Sequence, residues 1–310
     1  MVIQATYDGQ FGRYVDSKED NYSDHALRGQ LDTAFNQRTF LRLGLDAVRG
    51  HDPRGSTDRP LSNEPDVYRM VNAGGTFAFG APGAEGRVEL YGSSNRRDYL
   101  NNRDVTRFSD RMTNEFGGAF YWRVAPKTYA LVEARKTDIK YEVFNPSSGE
   151  ELRYYAGVSW EATAATTGTL KFGRLERKFD GDIPRDKFTS WEGLVLWAPR
   201  TYSRFEFLTS RQTQESTGLG NYILTSTYSL GWNHEWNSLL TTNVIARYQK
   251  DEYQGFDRTD NTKGLGFKVG YRFRRWLTLG AEYNYTTRDS NSPQFEYDRN
   301  LYLLTATASM

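Results

Sequence analysis

Residues 264–310 read GLGFKVGYRFRRWLTLGAEYNYTTRDSNSPQFEYDRNLYLLTATASM. In the first run Leu265, Phe267, Val269, Tyr271 and Phe273 share one parity, and Gly264, Gly266, Lys268, Gly270 and Arg272 share the other. After Arg274-Arg275-Trp276, Leu277, Leu279, Ala281, Tyr283 and Tyr285 alternate with Thr278, Gly280, Glu282, Asn284 and Thr286. Successive side chains of a strand point to opposite faces, so each run predicts a strand with one apolar and one polar face. A tight turn joins these two strands and a polar loop follows at 289–296. The last run sets Tyr302, Leu304, Ala306, Ala308 and Met310 on one side. Tight turn, long loop and aromatic-rich apolar face together predict a transmembrane β-barrel.

The rest of the chain repeats this pattern. The first run covers 2–15, and a charged loop follows at 16–23. Further strands carry Leu41, Leu43 and Leu45, then Phe77 and Phe79, then Phe116, Phe120 and Trp122, on their apolar parity. The same parity holds Ala130, Val132 and Ala134, and later Tyr222, Leu224, Tyr228, Leu230 and Trp232, all expected to face outward. Long loops are expected at 50–65, 94–108 and 251–262, and tight turns at Gly80-Ala81-Pro82-Gly83 and around His234. The expectation is an all-β fold: one domain over 1–310, an antiparallel up-and-down barrel of about sixteen strands. Tight and long connections alternate, which sets both termini on the tight-turn, periplasmic side. Trp122, Trp160, Trp197, Trp232, Trp236 and Trp276 stand beside tight turns, where a membrane interface would gather them. Soluble sandwiches and propellers use shorter strands, with turn signals every ~8–12 residues.

Composition narrows the function classes. The 310 residues hold 40 basic and 39 acidic side chains, a formal net charge of +1, which argues against a general nucleic-acid binder. Cysteine is absent, which removes disulfides, thiolate metal sites and thiol nucleophiles. No window reaches the ~18–20 consecutive apolar residues of a membrane helix, although a barrel strand needs only every second residue apolar. Met1-Val2 leads straight into the first run, so a secretion signal, if the protein is exported, is expected to have been removed.

A barrel of this size has room for an aqueous lumen unless loops plug it. The inward parity supplies candidates for a solute path: Arg28, Asp32, Arg42, Asp46, Glu89, Glu115, Arg135, Arg153, Glu161, Lys171, Arg204, Glu206, Lys268, Arg272 and Glu282, with Glu133 beside them. Tyr14, Tyr68, Tyr91, Tyr121 and Tyr155 add aromatic faces with a polar handle, which suit sugar rings. Neighbouring strands carry both charge signs, so cross-strand ion pairs along a wet wall are the plain reading. Mixed signs also predict little preference for a strongly anionic solute. Catalysis is not expected: His25, His51 and His234 stand near no motif-supported nucleophile. Asp180-Gly181-Asp182 offers oxygen ligands for Ca²⁺ but lacks the spacing of a calcium loop, and reads as a solvated turn. No cofactor is expected.

The C-terminal run Glu296-Tyr297-Asp298-Arg299-Asn300-Leu301-Tyr302-Leu303-Leu304-Thr305-Ala306-Thr307-Ala308-Ser309, the preceding Tyr283-Asn284-Tyr285-Thr286-Thr287-Arg288-Asp289-Ser290 and the strand grammar throughout resemble the β-barrel porins found with bacterial exopolysaccharide operons. Met310 departs from the terminal aromatic that many outer-membrane barrels favour. The resemblance implies a bacterial outer-membrane channel in contact with lipid and lipopolysaccharide. It also implies a polysaccharide cargo delivered by periplasmic export proteins, with loops gating the outer mouth. A small-solute porin and a plugged structural or adhesive barrel stay open as alternatives.

Overall fold

The computed structural model describes residues 1–309 apart from Pro60, Leu61, Pro82, Phe144, Ala164 and Asp182. The Asp182 end of the 180–182 stretch, the Pro82 of its turn and the terminal Met310 therefore lie outside the described residues. Sixteen strands follow one another: β1 (Val2–Gly12), β2 (Tyr22–Asn36), β3 (Thr39–Asp52), β4 (Asp66–Phe79), β5 (Gly86–Tyr99), β6 (Arg111–Ala125), β7 (Thr128–Tyr141) and β8 (Gly149–Thr163). The second half holds β9 (Thr166–Phe179), β10 (Asp186–Arg200), β11 (Ser203–Gln214), β12 (Tyr222–Glu235), β13 (Leu240–Gln254), β14 (Thr259–Arg274), β15 (Leu277–Ser290) and β16 (Tyr297–Ala308). They form one sheet in sequence order, and every neighbouring pair is antiparallel. This is the up-and-down topology that the alternating tight and long connections predict.

Parity carries through the registers. Arg28 faces Asp46 across β2–β3, Tyr91 faces Gly117 across β5–β6, Glu133 faces Tyr155 across β7–β8, and Lys268 faces Glu282 across β14–β15. The opposite parity exposes Leu45, Phe77, Phe116, Val132, Phe172, Leu230, Leu265 and Phe273. A band of exposed apolar side chains around a sheet is a liability in water and a requirement in lipid. At the tight-turn edge the rings of Trp197, Phe205, Trp232, His234 and Trp236 follow one another at 5.1, 6.2, 5.3 and 4.4 Å between centroids. This is the interfacial girdle expected from the tryptophan placement. His234 belongs to it from the end of β12 and not from a turn.

The strands run longer than their alternation suggests. β5 continues through Ser94–Tyr99, expected as loop, and β13 and β14 leave only residues 255–258 of the expected 251–262 loop. β3 likewise extends to Asp52, while β1 ends at Gly12, short of the expected residue 15. The 14 residues of β5 span roughly 46 Å at ~3.3 Å each, well beyond the ~25 Å apolar band even when tilted. Beyond that band neither face meets lipid, and polar partners are available on both. Asn95, Arg96, Arg97 and Asp98 therefore keep the ladder while losing the apolar/polar contrast.

Candidate functional site: the lumen wall and its outer mouth

On the inner wall from β5 to β10, polar side chains lie flat and bond to one another. Tyr91 Oη donates to Glu133 Oε1 at 2.6 Å, and Arg135 Nε donates to Tyr91 Oη at 3.1 Å. Arg135 pairs with Glu133 at 2.5 Å and Glu192 at 3.1 Å, and Lys171 bridges the same carboxylates at 2.8 and 2.5 Å. Two cations and two carboxylates thus close a neutral quartet. The Tyr155 ring lies 5.1 Å from Lys171 Nζ, and its hydroxyl shares a 2.8 Å hydrogen bond with Ser190. Lower on the wall Tyr121 donates to Glu89 at 3.1 Å while Arg87 stacks 4.3 Å from the Tyr121 ring. Opposite Tyr91 stands Gly117, where a Cβ would come within 2.5 Å of the tyrosine ring. Gly117→Val is expected to lift Tyr91 off Glu133 and destabilise the barrel by about 1–3 kcal/mol. Heat-modifiable electrophoresis would show this as a lower folded fraction at a given urea concentration.

The structure pairs other sequence candidates more sparsely. Asp32 binds Arg42 at 2.6 Å, Asp46 accepts from Asn72 at 3.4 Å, Glu115 accepts from Thr137 at 3.3 Å, and Lys268 lies 3.6 Å from Glu282. Among the described residues Arg204 reaches only Glu235, at 3.7 Å. Arg28, Glu161, Glu206 and Arg272 make no side-chain hydrogen bond or ion pair among the described residues. Tyr68 lies beneath Arg97, 3.7 Å from ring centre to guanidinium. Tyr14 departs from its expected place. It follows the end of β1, its backbone N–H donates to Asn21 Oδ1 at 2.8 Å, and it shares a rim cavity with His51 and Arg54.

The outer mouth holds what alternation could not show. Loops 53–65 and 215–221 follow strands eight places apart in the sixteen, yet Asp58 N–H donates to Thr217 Oγ1 at 3.2 Å. Asp58 Oδ1 also accepts from Arg258 Nη1 at 2.6 Å and from Tyr253 Oη at 3.2 Å. Arg59 anchors the base of its loop. It is buried, bonds Asp66 at 2.7 Å and Asp52 at 3.1 Å, and lies 4.4 Å from the Tyr99 ring.

A bend in one hairpin adds further contacts at this end. β10 pairs with β9 from Asp186 onward but with β11, among the described residues, only from Trp191 to Arg200. The end of β11, parted from β10 but still paired with β12, leans toward the inner wall. There Thr213 hydroxyl donates to Glu151 of β8, and Arg153 donates to Thr213 Oγ1 at 3.4 Å. Tyr222 and Leu224, expected on the lipid face, are fully buried instead. Tyr222 donates to Asp186 at 2.5 Å, and its ring lies 5.7 Å from Phe179. Their parity is the outward one, but the bend turns that face onto the inner wall of β8–β10. Arg177, with almost no exposure, pairs with Glu215 at 2.6 Å, donates to Ser147 O at 3.2 Å and stacks 4.8 Å from Tyr222. Tyr141 Oη donates to Glu215 at 2.7 Å. Burial raises the Glu215 pKa, but the Arg177 charge and hydrogen bonds outweigh it and hold the carboxyl below the usual range. At the rim, hydrogen bonds from Arg54 and then Ser17 hold Asp20 at about 2.

The geometry is a polar-walled barrel whose outer end is bridged by hydrogen bonds and ion pairs between loops and wall. No curated protein matches the chain. Among solved structures, the FrpB iron transporter from Neisseria meningitidis (F5-1 variant) superposes with a TM-score of 0.54 at 12% identity, over 95% of this chain and 58% of that one. The copper transporter OprC gives a TM-score of 0.53 at 12% identity, over 99% of this chain and 60% of that one. The chain therefore spans about three fifths of the length of these transporters, and what is shared with them is the barrel fold. A bacterial polysaccharide outer membrane secretin aligns over 100% of this chain and 99% of its own at 11% identity, with a TM-score of 0.46. The model of the family described as "Putative beta-barrel porin 2" matches residues 2–310. With that match over nearly its whole length, the chain belongs to this porin family, and its barrel is one of the bacterial outer membrane.

Proposed function

We propose that this porin-family barrel is a gated conduit for a secreted polysaccharide, passing it through the lumen by guided diffusion or threading. The observation that carries the reading is the inner placement of the half-buried Tyr91 and Tyr121, each tied by its hydroxyl to a wall carboxylate, with Tyr155 buried behind the same network. Ring faces bounded by donors and acceptors suit a pyranose, which offers both an apolar face and hydroxyls. Ions and small solutes have no need of them. The mouth closure is built from hydrogen bonds and ion pairs, which can exchange for water when the loops swing aside.

The closed mouth also favours a second reading, a barrel that stays plugged and serves structure or adhesion. Planar-bilayer recording separates the two. The conduit should show openings of a wide pore, and long neutral glycans added on the tight-turn side should block the current in bursts. Absence of current under every voltage and pH tried would favour the plugged barrel. Current indifferent to long glycans would leave a small-solute porin.

A further inference from the structure

Charge on the inner wall is mixed by count and uneven by sector. From β5 to β10 the quartet of Glu133, Arg135, Lys171 and Glu192 neutralises itself. From β13 to β16 the pattern differs. Arg247 pairs in register with Gly264, Gly264 with Thr286, and Thr286 with Arg299, so two arginines flank one row with only small residues between them. Both are exposed, and neither makes a side-chain hydrogen bond or ion pair among the described residues. Lys268 follows four residues along β14 and Arg272 four beyond that, each step about 13 Å at ~3.3 Å per residue. On the inward parity of this stretch Glu282 lies 3.6 Å from Lys268, while Asp251 and Asp260, four residues toward the mouth from Arg247 and Gly264, are buried and already engaged, Asp251 by Thr225 and Gln249 and Asp260 by Arg258 and Ser290. The floor between them is low, because Gly264, Gly266, Gly270 and Gly280 share the inward parity. A Cβ at Gly264 would meet nothing closer than 3.7 Å, so a chain lying there reaches the wall unobstructed.

We infer that Arg247, Arg299, Lys268 and Arg272 form an axial cation track that selects an acidic polysaccharide, one with carboxylates on its sugar units. This rests on the polysaccharide reading above and narrows it. A repeating anion meets successive cations along the axis, while opposite them the quartet is closed on itself and leaves neither of its cations free for the chain. Parity alone hid the asymmetry, because it counts charges without showing which are already paired.

The test is calorimetric titration of the full-length protein in detergent with oligogalacturonate and with a neutral malto-oligosaccharide of equal length, at low and physiological salt. The acidic oligomer should bind more tightly, with an affinity that falls as salt rises. In the double variant Arg247→Gln/Arg299→Gln its affinity should drop by roughly tenfold, with each exposed pair contributing at most a few-fold. Binding of the neutral oligomer by the double variant should match the wild type, which also shows that it folds. Equal binding of both oligomers by the wild type would overturn the track and leave the polysaccharide reading standing. An unchanged affinity for the acidic oligomer in the double variant would overturn the track as well. Binding of neither oligomer would overturn both.

Discussion

Arg177→Met should release the outer mouth and destabilise the barrel by about 3–5 kcal/mol, the cost of stranding the buried Glu215 carboxylate without its cation. Arg177 is fully buried and faces Glu215, 2.6 Å away, and more distantly Glu151, 3.8 Å away, which is paired more closely with Arg153. Methionine fills the volume beside Phe179 and Tyr222 but leaves Glu215 facing aromatic walls with only the Tyr141 hydroxyl. Urea unfolding in lipid vesicles, followed by tryptophan fluorescence, should show an earlier midpoint. Adding Glu215→Gln to Arg177→Met should recover part of the loss, because the stranded charge goes with it. An undiminished midpoint in Arg177→Met would mean that the hairpin is held by its apolar contacts alone. The same pair sets a pH dependence. Glu215 has its pKa depressed in the folded state, so its stabilisation is present above the ordinary glutamate value of about 4.3 and is lost as pH falls through the lower folded value. The latch should therefore hold at neutral and mildly acidic pH and yield only in stronger acid.

Why the sequence discloses the wall and not the latch follows from what alternation measures. A strand in lipid must separate apolar from polar with period two, so Phe267 and Lys268, or Phe120 and Tyr121, announce their faces. Each parity assignment for the lumen candidates on strands agrees with the registers, Tyr14 being the one candidate that falls off a strand. Pairing is a matter of distance across strands that are remote in sequence. Nothing local tells that Lys171 and Arg135 share two carboxylates while Arg247 and Arg299 have none among the described residues. The mouth is harder still. Asp58, Glu215 and Arg258 sit in polar connections without period, and their meeting depends on where the sheet curls. Tyr222 and Leu224 misled for a related reason. Their spacing is that of an outward face, but the face turns inward once β11 leaves β10 beyond Arg211. An alternating segment carries the signal of burial on one side and is silent about whether lipid or protein covers it.

Locking the mouth gives the second large effect. The chain has no cysteine, so a pair introduced as Asp58→Cys and Thr217→Cys would have no competing thiol. Asp58 N lies 3.2 Å from Thr217 Oγ1, and a Cβ at the adjacent Gly218 would come within 2.8 Å of Asp58 O, so the two backbones approach within disulfide reach. Oxidation should hold loops 53–65 and 215–221 together across the opening. If swinging of these loops is what opens the pore, current in planar bilayers should vanish in the oxidised protein and return on adding dithiothreitol. Removing the Asp58 carboxylate also breaks its bond to Arg258, so the reduced variant should open more readily than the wild type. The single variant Asp58→Asn should share that rise, since it weakens the same contact without any crosslink. Three conductance levels are thus ordered in advance: oxidised pair lowest, wild type between, reduced pair and Asp58→Asn highest. A pore that conducts equally with the crosslink made would place the gate elsewhere, at the Arg177–Glu215 contact on the far side of the same hairpin. The two contacts are separable because one joins loop to loop and the other joins loop to wall.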